Sequence, residues 1–249
     1  LHYLFKLPEN VSEEEATLLL LEKGFTYPYS IEEGGEIILG AFSEEEREAP
    51  LELIKKEMTP SIDWEKEWQS HAPHFADGVQ SLTLPNGKIL ELLPGAGFGD
   101  YSHPTTQLCL NKLSLYIKDQ MVVDIGSGSG ILMLASRLLG APKAIGVEID
   151  SLAIEHSKLN QAHNNITNIS FDLKEARGPL LIVINMIRSE QMALFKGNPN
   201  ILLLKGIWII SGLLAEERDI YLDFLLSKGF TFIEEELKEG WLALVVLFE

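Results

Sequence analysis

The sequence predicts an α/β chain: a mostly parallel sheet with an antiparallel C-terminal strand, preceded by a small α+β module. Three observations carry this. From Met121 onward, apolar strand-like runs alternate with helical stretches, as in a parallel sheet with helices on both faces. The last two apolar runs, Phe230 to Glu235 and Trp241 to Phe248, are joined by a turn too short for a crossover helix, so the final strand must be antiparallel. The first sixty residues follow a different order, β-α-β-β-α.

Taken in order, Leu1 to Leu7 alternates like a short strand. Ser12 followed by Glu15 is a capping-box signature, so a helix opens there and runs to about Lys23, stopping at Gly24. Phe25 to Glu32 and Glu36 to Phe42 flank Gly34-Gly35 and read as a hairpin. Ser43 with Glu46 caps a second predicted helix that reaches about Met58, before Pro60. Residues 1–60 thus form a compact ferredoxin-like unit lacking a clear last strand. Residues 61–78 read as a linker with a short helix, DWEKEWQ, whose Trp64 and Trp68 share one face and are expected to pack between domains.

Residues 79–249 make the larger domain. Val79 to Leu84, Pro85-Asn86-Gly87 and Lys88 to Leu93 form a hairpin; Pro94 to Asp100 is glycine-rich, and a helix follows from Pro104 to Tyr116. The alternation then runs MVVDI, a helix after Gly130, AIGVEI, a helix from Leu152 to His163, ISF, LLIVI, a helix near Ser189 to Phe195, and GIWIIS. A helix from about Ala215 to Ser227 precedes the terminal hairpin.

Composition narrows the functional classes. The 249 residues are 46% hydrophobic, enough for a substantial core. The net charge is −17, of which residues 1–78 carry −12. Such a field repels phosphate backbones, so direct nucleic-acid binding is not expected, whereas a basic protein suits it. Cys109 is the lone cysteine, which excludes an intramolecular disulfide and fits a reducing compartment. Glu13 to Glu15 stand where a secretory apolar region belongs, and Lys205 interrupts the longest apolar stretch, so a soluble cytoplasmic protein without membrane association is expected. His71 and His74 are separated by Pro73 with no further ligand cluster, so no metal site is expected.

The chemistry concentrates in MVVDIGSGSGI. Asp124, Gly126, Ser127, Gly128, Ser129 and Gly130 lie between a strand and a helix, where open α/β sheets bind ligands. Glycines permit the tight turn and close approach, and free N–H groups at the helix start favour an anionic group. A dinucleotide fingerprint would need glycine where Ile131 stands. Gly-x-Gly-x-Gly after an aspartate fits S-adenosylmethionine better, with Asp124 accepting from the ligand ammonium or bracing the loop. Some twenty residues on, Glu148 closes a second strand, where a carboxylate accepts from both ribose hydroxyls; Asp150 reads as a helix cap.

Pro94 to Leu108 (PGAGFGDYSHPTTQL), VVDIGSGSGIL, GVEID, Asn185 after the fourth strand, DWEKEWQ and EGWLALVVLF together resemble the bacterial PrmA family. These are class I, Rossmann-like methyltransferases that modify lysines of the eleventh protein of the large ribosomal subunit. The resemblance implies that Phe98, Thr105 and Thr106 line the cofactor, that Gly126 to Gly130 hold its amino-acid end, and that Glu148 and Ile149 meet ribose and adenine. It places Asn185 beside the transferable methyl, as catalytic residue, and gives the N-terminal module recognition of a basic ribosomal protein. The chain departs from the family at Asp100-Tyr101-Ser102, where Thr-Gly usually follows Gly99, at Ser127, where cysteine is common, and in the short segment Asp172 to Leu180. Those departures leave two alternatives: methylation of another protein or a small molecule, or a binding module that has lost turnover. His103 reads as a loop-anchoring hydrogen bonder.

Overall fold

The computed structural model describes residues 1–33, 36–43, 45–58 and 63–249. The expected Gly34-Gly35 turn and the stop at Pro60 lie outside the described residues. The chain divides into two compact units, Leu1–Ile62 and Asp63–Glu249.

In the smaller unit, β1 (His2–Lys6), β2 (Thr26–Glu33), β3 (Glu36–Phe42) and β4 (Leu53–Glu57) form an antiparallel sheet in the order β2-β3-β1-β4, with α1 (Glu13–Glu22) packed against it. The capping box forms: the Glu15 N–H donates to Ser12 Oγ at 3.2 Å, and the Ser12 N–H donates to the Glu15 carboxylate at 3.0 Å. Tyr3, Phe5, Leu20, Phe25 and Leu39 are buried together. The helix expected from Ser43 to Met58 does not form; described residues 45–52 are irregular and β4 supplies the fourth strand. Pro50 sits mid-segment, where it removes a helical donor and clashes with the preceding turn. Ser43 closes a local turn instead, its hydroxyl donating to Glu45 O at 2.7 Å and accepting from Arg47 Nε at 2.9 Å.

The larger unit opens with α2 (Trp64–His71), capped by Asp63. Trp68 is buried there against Phe75 and His156, so the expected linker helix and its tryptophan belong to the core of this unit. A three-stranded sheet follows: β5 (Phe75–Ala76), β6 (Val79–Thr83) and β7 (Ile89–Leu92). After α3 (Pro104–Tyr116) comes the alternation: β8 (Met121–Ile125), α4 (Ile131–Leu139), β9 (Ala144–Val147), α5 (Ser151–His163), β10 (Ile169–Ser170), β11 (Leu180–Asn185), α6 (Arg188–Gly197), β12 (Gly206–Leu214), α7 (Arg218–Ser227), β13 (Thr231–Lys238) and β14 (Trp241–Phe248).

The seven strands run β10-β9-β8-β11-β12-β14-β13, parallel except that β14 pairs antiparallel with both β12 and β13. Each central strand feeds two cores. Leu181 and Val183 of β11 join one cluster, whereas Leu180, Ile182 and Ile184 join the other. Burial on both faces explains why these strands read as unbroken apolar runs. The chain leaves β8 in one direction for β9 and β10, then returns to place β11 on its other side. A crevice therefore opens at the carboxyl ends of β8 and β11, where ligands bind in such sheets.

Candidate active site

β8 delivers Asp124, and the chain turns through Gly126–Gly130 into α4. Gly126, Gly128 and Gly130 have φ of +73°, +51° and +83°, a region in which only glycine is unstrained. A Cβ on Gly128 would stand 2.5 Å from the Phe98 carbonyl oxygen, and one on Gly97 2.5 Å from the Gly128 backbone. Two backbone loops thus lie in direct contact. The Ser129 N–H donates to Phe98 O at 2.9 Å and its hydroxyl to Gly99 O at 2.6 Å.

Carboxylates brace this cradle. One oxygen of Glu148 accepts the Gly128 N–H at 3.0 Å; the other accepts from Ile149 N at 2.7 Å and Asp150 N at 3.1 Å. Asp150 caps α5. Asp124 Oδ2 accepts the Met133 N–H at 3.0 Å, while Oδ1 is buried without a hydrogen-bond partner, as is the Ser127 hydroxyl. Burial pushes the Asp124 carboxyl up to about 8, the Met133 N–H pulling it down and the charge of Glu148 pushing it further up. Burial also raises Glu190, in the first turn of α6, with the same Glu148 charge adding to it. An unpartnered buried carboxylate oxygen at the head of the glycine turn fits a ligand bearing an ammonium, whereas the N–H groups of Gly126 to Gly130 are all taken by the protein's own acceptors.

The opposite wall is the Phe98–His103 loop and the start of α3. His103 caps α3: its Nδ1 accepts the Thr105 N–H at 3.3 Å and lies 2.8 Å from Thr105 Oγ1. Burial holds the His103 pKa below its usual value although Asp100 and Glu239 pull it up. Thr105 and Thr106 are buried, and Asn185 Nδ2, at the end of β11, donates to Thr106 Oγ1 at 3.3 Å. The Phe98 and Ile149 side chains are 58% and 81% exposed. The structure therefore joins Asn185 to Thr106, Glu148 to Gly128 and the Phe98 backbone to Ser129. Thr105 is turned toward His103, Phe98 meets the same imidazole edge-on with ring centroids 5.9 Å apart, and Ile149 is exposed.

The departing segment is anchored by its own side chains. Asp100 is buried, its Oδ1 accepting from both N–H (2.9 Å) and hydroxyl (2.6 Å) of Ser102; His71 Nε2 lies 2.7 Å from Oδ2, and the Gln80 amide donates to Asp100 O. Tyr101 takes φ +67° and packs against the core. His71 thus pairs with Asp100, and among the described residues no group of three or more His, Cys, Asp or Glu is arranged to hold a metal. In the short segment after β10, the Glu175 carboxylate is taken up by Lys143 and by Ser170 at 2.8 Å.

The profile of the family described as ribosomal protein L11 methyltransferase (PrmA) matches residues 42–248. The chain belongs to the PrmA family. A ribosomal protein L11 methyltransferase of Dictyoglomus turgidum is 32% identical over 220 residues, covering 82% of this chain and 71% of that protein. One of Clostridium perfringens is 30% identical over 222 residues, covering 81% and 71%. The crystal structure of a ribosomal protein L11 methylase from Lactobacillus delbrueckii subsp. bulgaricus superposes with a TM-score of 0.57 at 26% identity, over 68% of this chain and 89% of that one. The expected class, a Rossmann-like methyltransferase, is thereby established. No helix among the described residues is long and apolar enough to cross a membrane.

Several buried polar residues of this PrmA-family chain had no sequence signal. His156, Asn160 and Gln191 bond to partners far along the chain; Gln191, for example, donates to Ser211 O at 2.9 Å. Asn160 at one helical turn from His156 was the available hint, but both look like residues of a solvated face.

Proposed function

We propose that the chain transfers methyl groups from S-adenosylmethionine to lysine amino groups of ribosomal protein L11. The observation that carries the cofactor reading is the buried, unpartnered Asp124 Oδ1 at the base of the Gly126–Gly130 cradle. In this reading, Asp124 receives the ligand ammonium, Gly126, Ser127, Gly128 and Gly130 line its amino-acid end, Glu148 and Ile149 meet ribose and adenine, and Phe98, Thr105 and Thr106 close the other side. When bound, the cofactor supplies an electrophilic methyl on a sulfonium.

The chain's own task is orientation. Asn185, held by Thr106, offers its side-chain carbonyl to the incoming amine. A lysine side chain, which in water loses its proton only near pH ~10.4, must reach the site neutral, at a cost of roughly 4 kcal/mol near neutral pH; the buried walls and an adjacent cation lower that cost. Recognition falls to the smaller unit, where Glu9, Glu13, Glu14, Glu22, Glu45 and Glu48 are exposed and suit a basic protein.

Calorimetry with S-adenosylmethionine, followed by mass spectrometry of L11 after incubation with both, tests the proposal. Micromolar binding and mass gains of whole methyl groups on lysine support it. Binding without incorporation overturns the substrate, and no binding overturns the cofactor.

A further inference from the structure

Two side chains of α5 have no part in that chemistry, yet they join both walls of the crevice. His156 and Asn160 lie one helical turn apart and are 4% and 0% exposed. The Gly97 N–H donates to His156 Nδ1 at 3.0 Å, which leaves the single proton of a neutral ring on Nε2, 2.8 Å from its acceptor, Leu93 O. Asn160 Oδ1 accepts the Leu93 N–H at 2.8 Å, and its Nδ2 donates to Ser129 O at 2.9 Å. Ser129 in turn holds Phe98 and Gly99. The segment from Leu93 to Gly99, the glycine loop and α5 are therefore closed into one ring of hydrogen bonds. The fit is tight: a Cβ on Gly95 would stand 2.4 Å from the His156 ring, and one on Gly130 2.4 Å from Ser157 Oγ.

We propose that His156 is a positioning residue for the cofactor crevice, its neutral ring clamping the Leu93–Gly97 segment against the glycine loop through Asn160 and Ser129. The proposal rests on the reading that S-adenosylmethionine occupies the crevice. Protonation would turn an N–H of the ring onto the Gly97 N–H and open the clamp. Around the ring, α2 contributes Trp68, the loop contributes Leu93, Gly95 and Gly97, and α5 contributes Asn160, and none of these carries a charge. Burial holds the ring's pKa below 6.5, outweighing the Leu93 carbonyl, which favours the proton. A neutral ring is thus favoured by the fold, so the clamp is still intact at pH 6.5 and opens only as pH falls through the ring's lowered folded value, while the stability it lends declines over the window between the two.

The test uses the full chain with His156→Gln, His156→Leu and His156→Asn. Gln and Leu remove the acceptor for Gly97, whereas the Asn oxygen takes the place of Nδ1. Amide exchange at Gly97 and Ser129, measured without cofactor, should quicken about tenfold in the first two and recover to within threefold in His156→Asn. The KM for S-adenosylmethionine should rise about tenfold in the same two, more than kcat falls. The rise in KM on acidification should be present in the unmutated protein and absent in His156→Asn. Unchanged exchange in His156→Gln, no recovery in His156→Asn, or identical pH profiles would overturn the clamp. Should the unmutated protein bind no S-adenosylmethionine, the cofactor reading fails, and the exchange rates still decide whether the clamp exists. His156→Gln keeps the decision available if His156→Leu does not fold.

Discussion

The two loops that meet across the crevice satisfy the same backbone demand in opposite ways. In Gly126–Gly130 every left-handed φ falls on a glycine, because the space beside it is filled: Phe98 O beside Gly128, Met186 beside Gly126 and Ser157 beside Gly130. In Gly99–Ser102 the left-handed φ also falls on Tyr101, whose side chain packs against the core and borders a groove of about 250 Å³ lined also by Leu82, Leu84, Gln107 and Asn111. A tyrosine is tolerated there because its side chain has somewhere to pack, which offsets a conformational cost of about 1–2 kcal/mol. Glycine is demanded where neighbouring atoms already fill the place of a Cβ, and is optional where an anchored side chain holds the turn.

The sharpest test of this contrast is Gly128→Ala. With a Cβ 2.5 Å from a carbonyl oxygen, the two loops must separate, and the affinity for S-adenosylmethionine measured by calorimetry should fall at least about a hundredfold. Asp124→Asn comes next, with a loss of about tenfold or more. It also changes the pH profile. A carboxyl raised from 3.8 to about 8 costs stability as pH climbs from 3.8 through 8, on the order of 5 kcal/mol in full; denaturant titrations should show this slope in the unmutated protein and not in Asp124→Asn. Tyr101→Gly should have a smaller effect. Strain is relieved but the packed ring is lost, for a net destabilisation of about 1–2 kcal/mol and a few-fold higher KM; a loss as large as that of Gly128→Ala would erase the distinction between the loops. Smallest of all, Ser127→Ala removes a buried hydroxyl without a partner, and thermal unfolding should move by no more than about 0.5–1 kcal/mol, toward higher stability.

What was readable in the sequence follows the same physics. The parallel strands announce themselves because burial on both faces leaves no polar position in runs such as Leu180–Ile184, and Gly-x-Gly-x-Gly does so because its glycines are irreplaceable. The segment after Ser43 misled because a charge-rich run has good helix propensity, while its pairing with β1, some fifty residues away, and the break at Pro50 decided the outcome. Tyr101 gave no sign of its φ, since bulky residues rarely adopt it. His156 and Asn160 were illegible because each is defined by a partner more than thirty residues away.

β4 has a consequence for the protein in concentrated solution. It ends its sheet, with all five residues exposed and, among the described residues, no strand paired to its outer side. A margin of that kind invites a second molecule to add a strand, the first step toward aggregation. Lys55, Lys56 and Glu57 occupy most of its length. Replacing the two lysines with valine should leave the chain folded while lowering the concentration at which it precipitates.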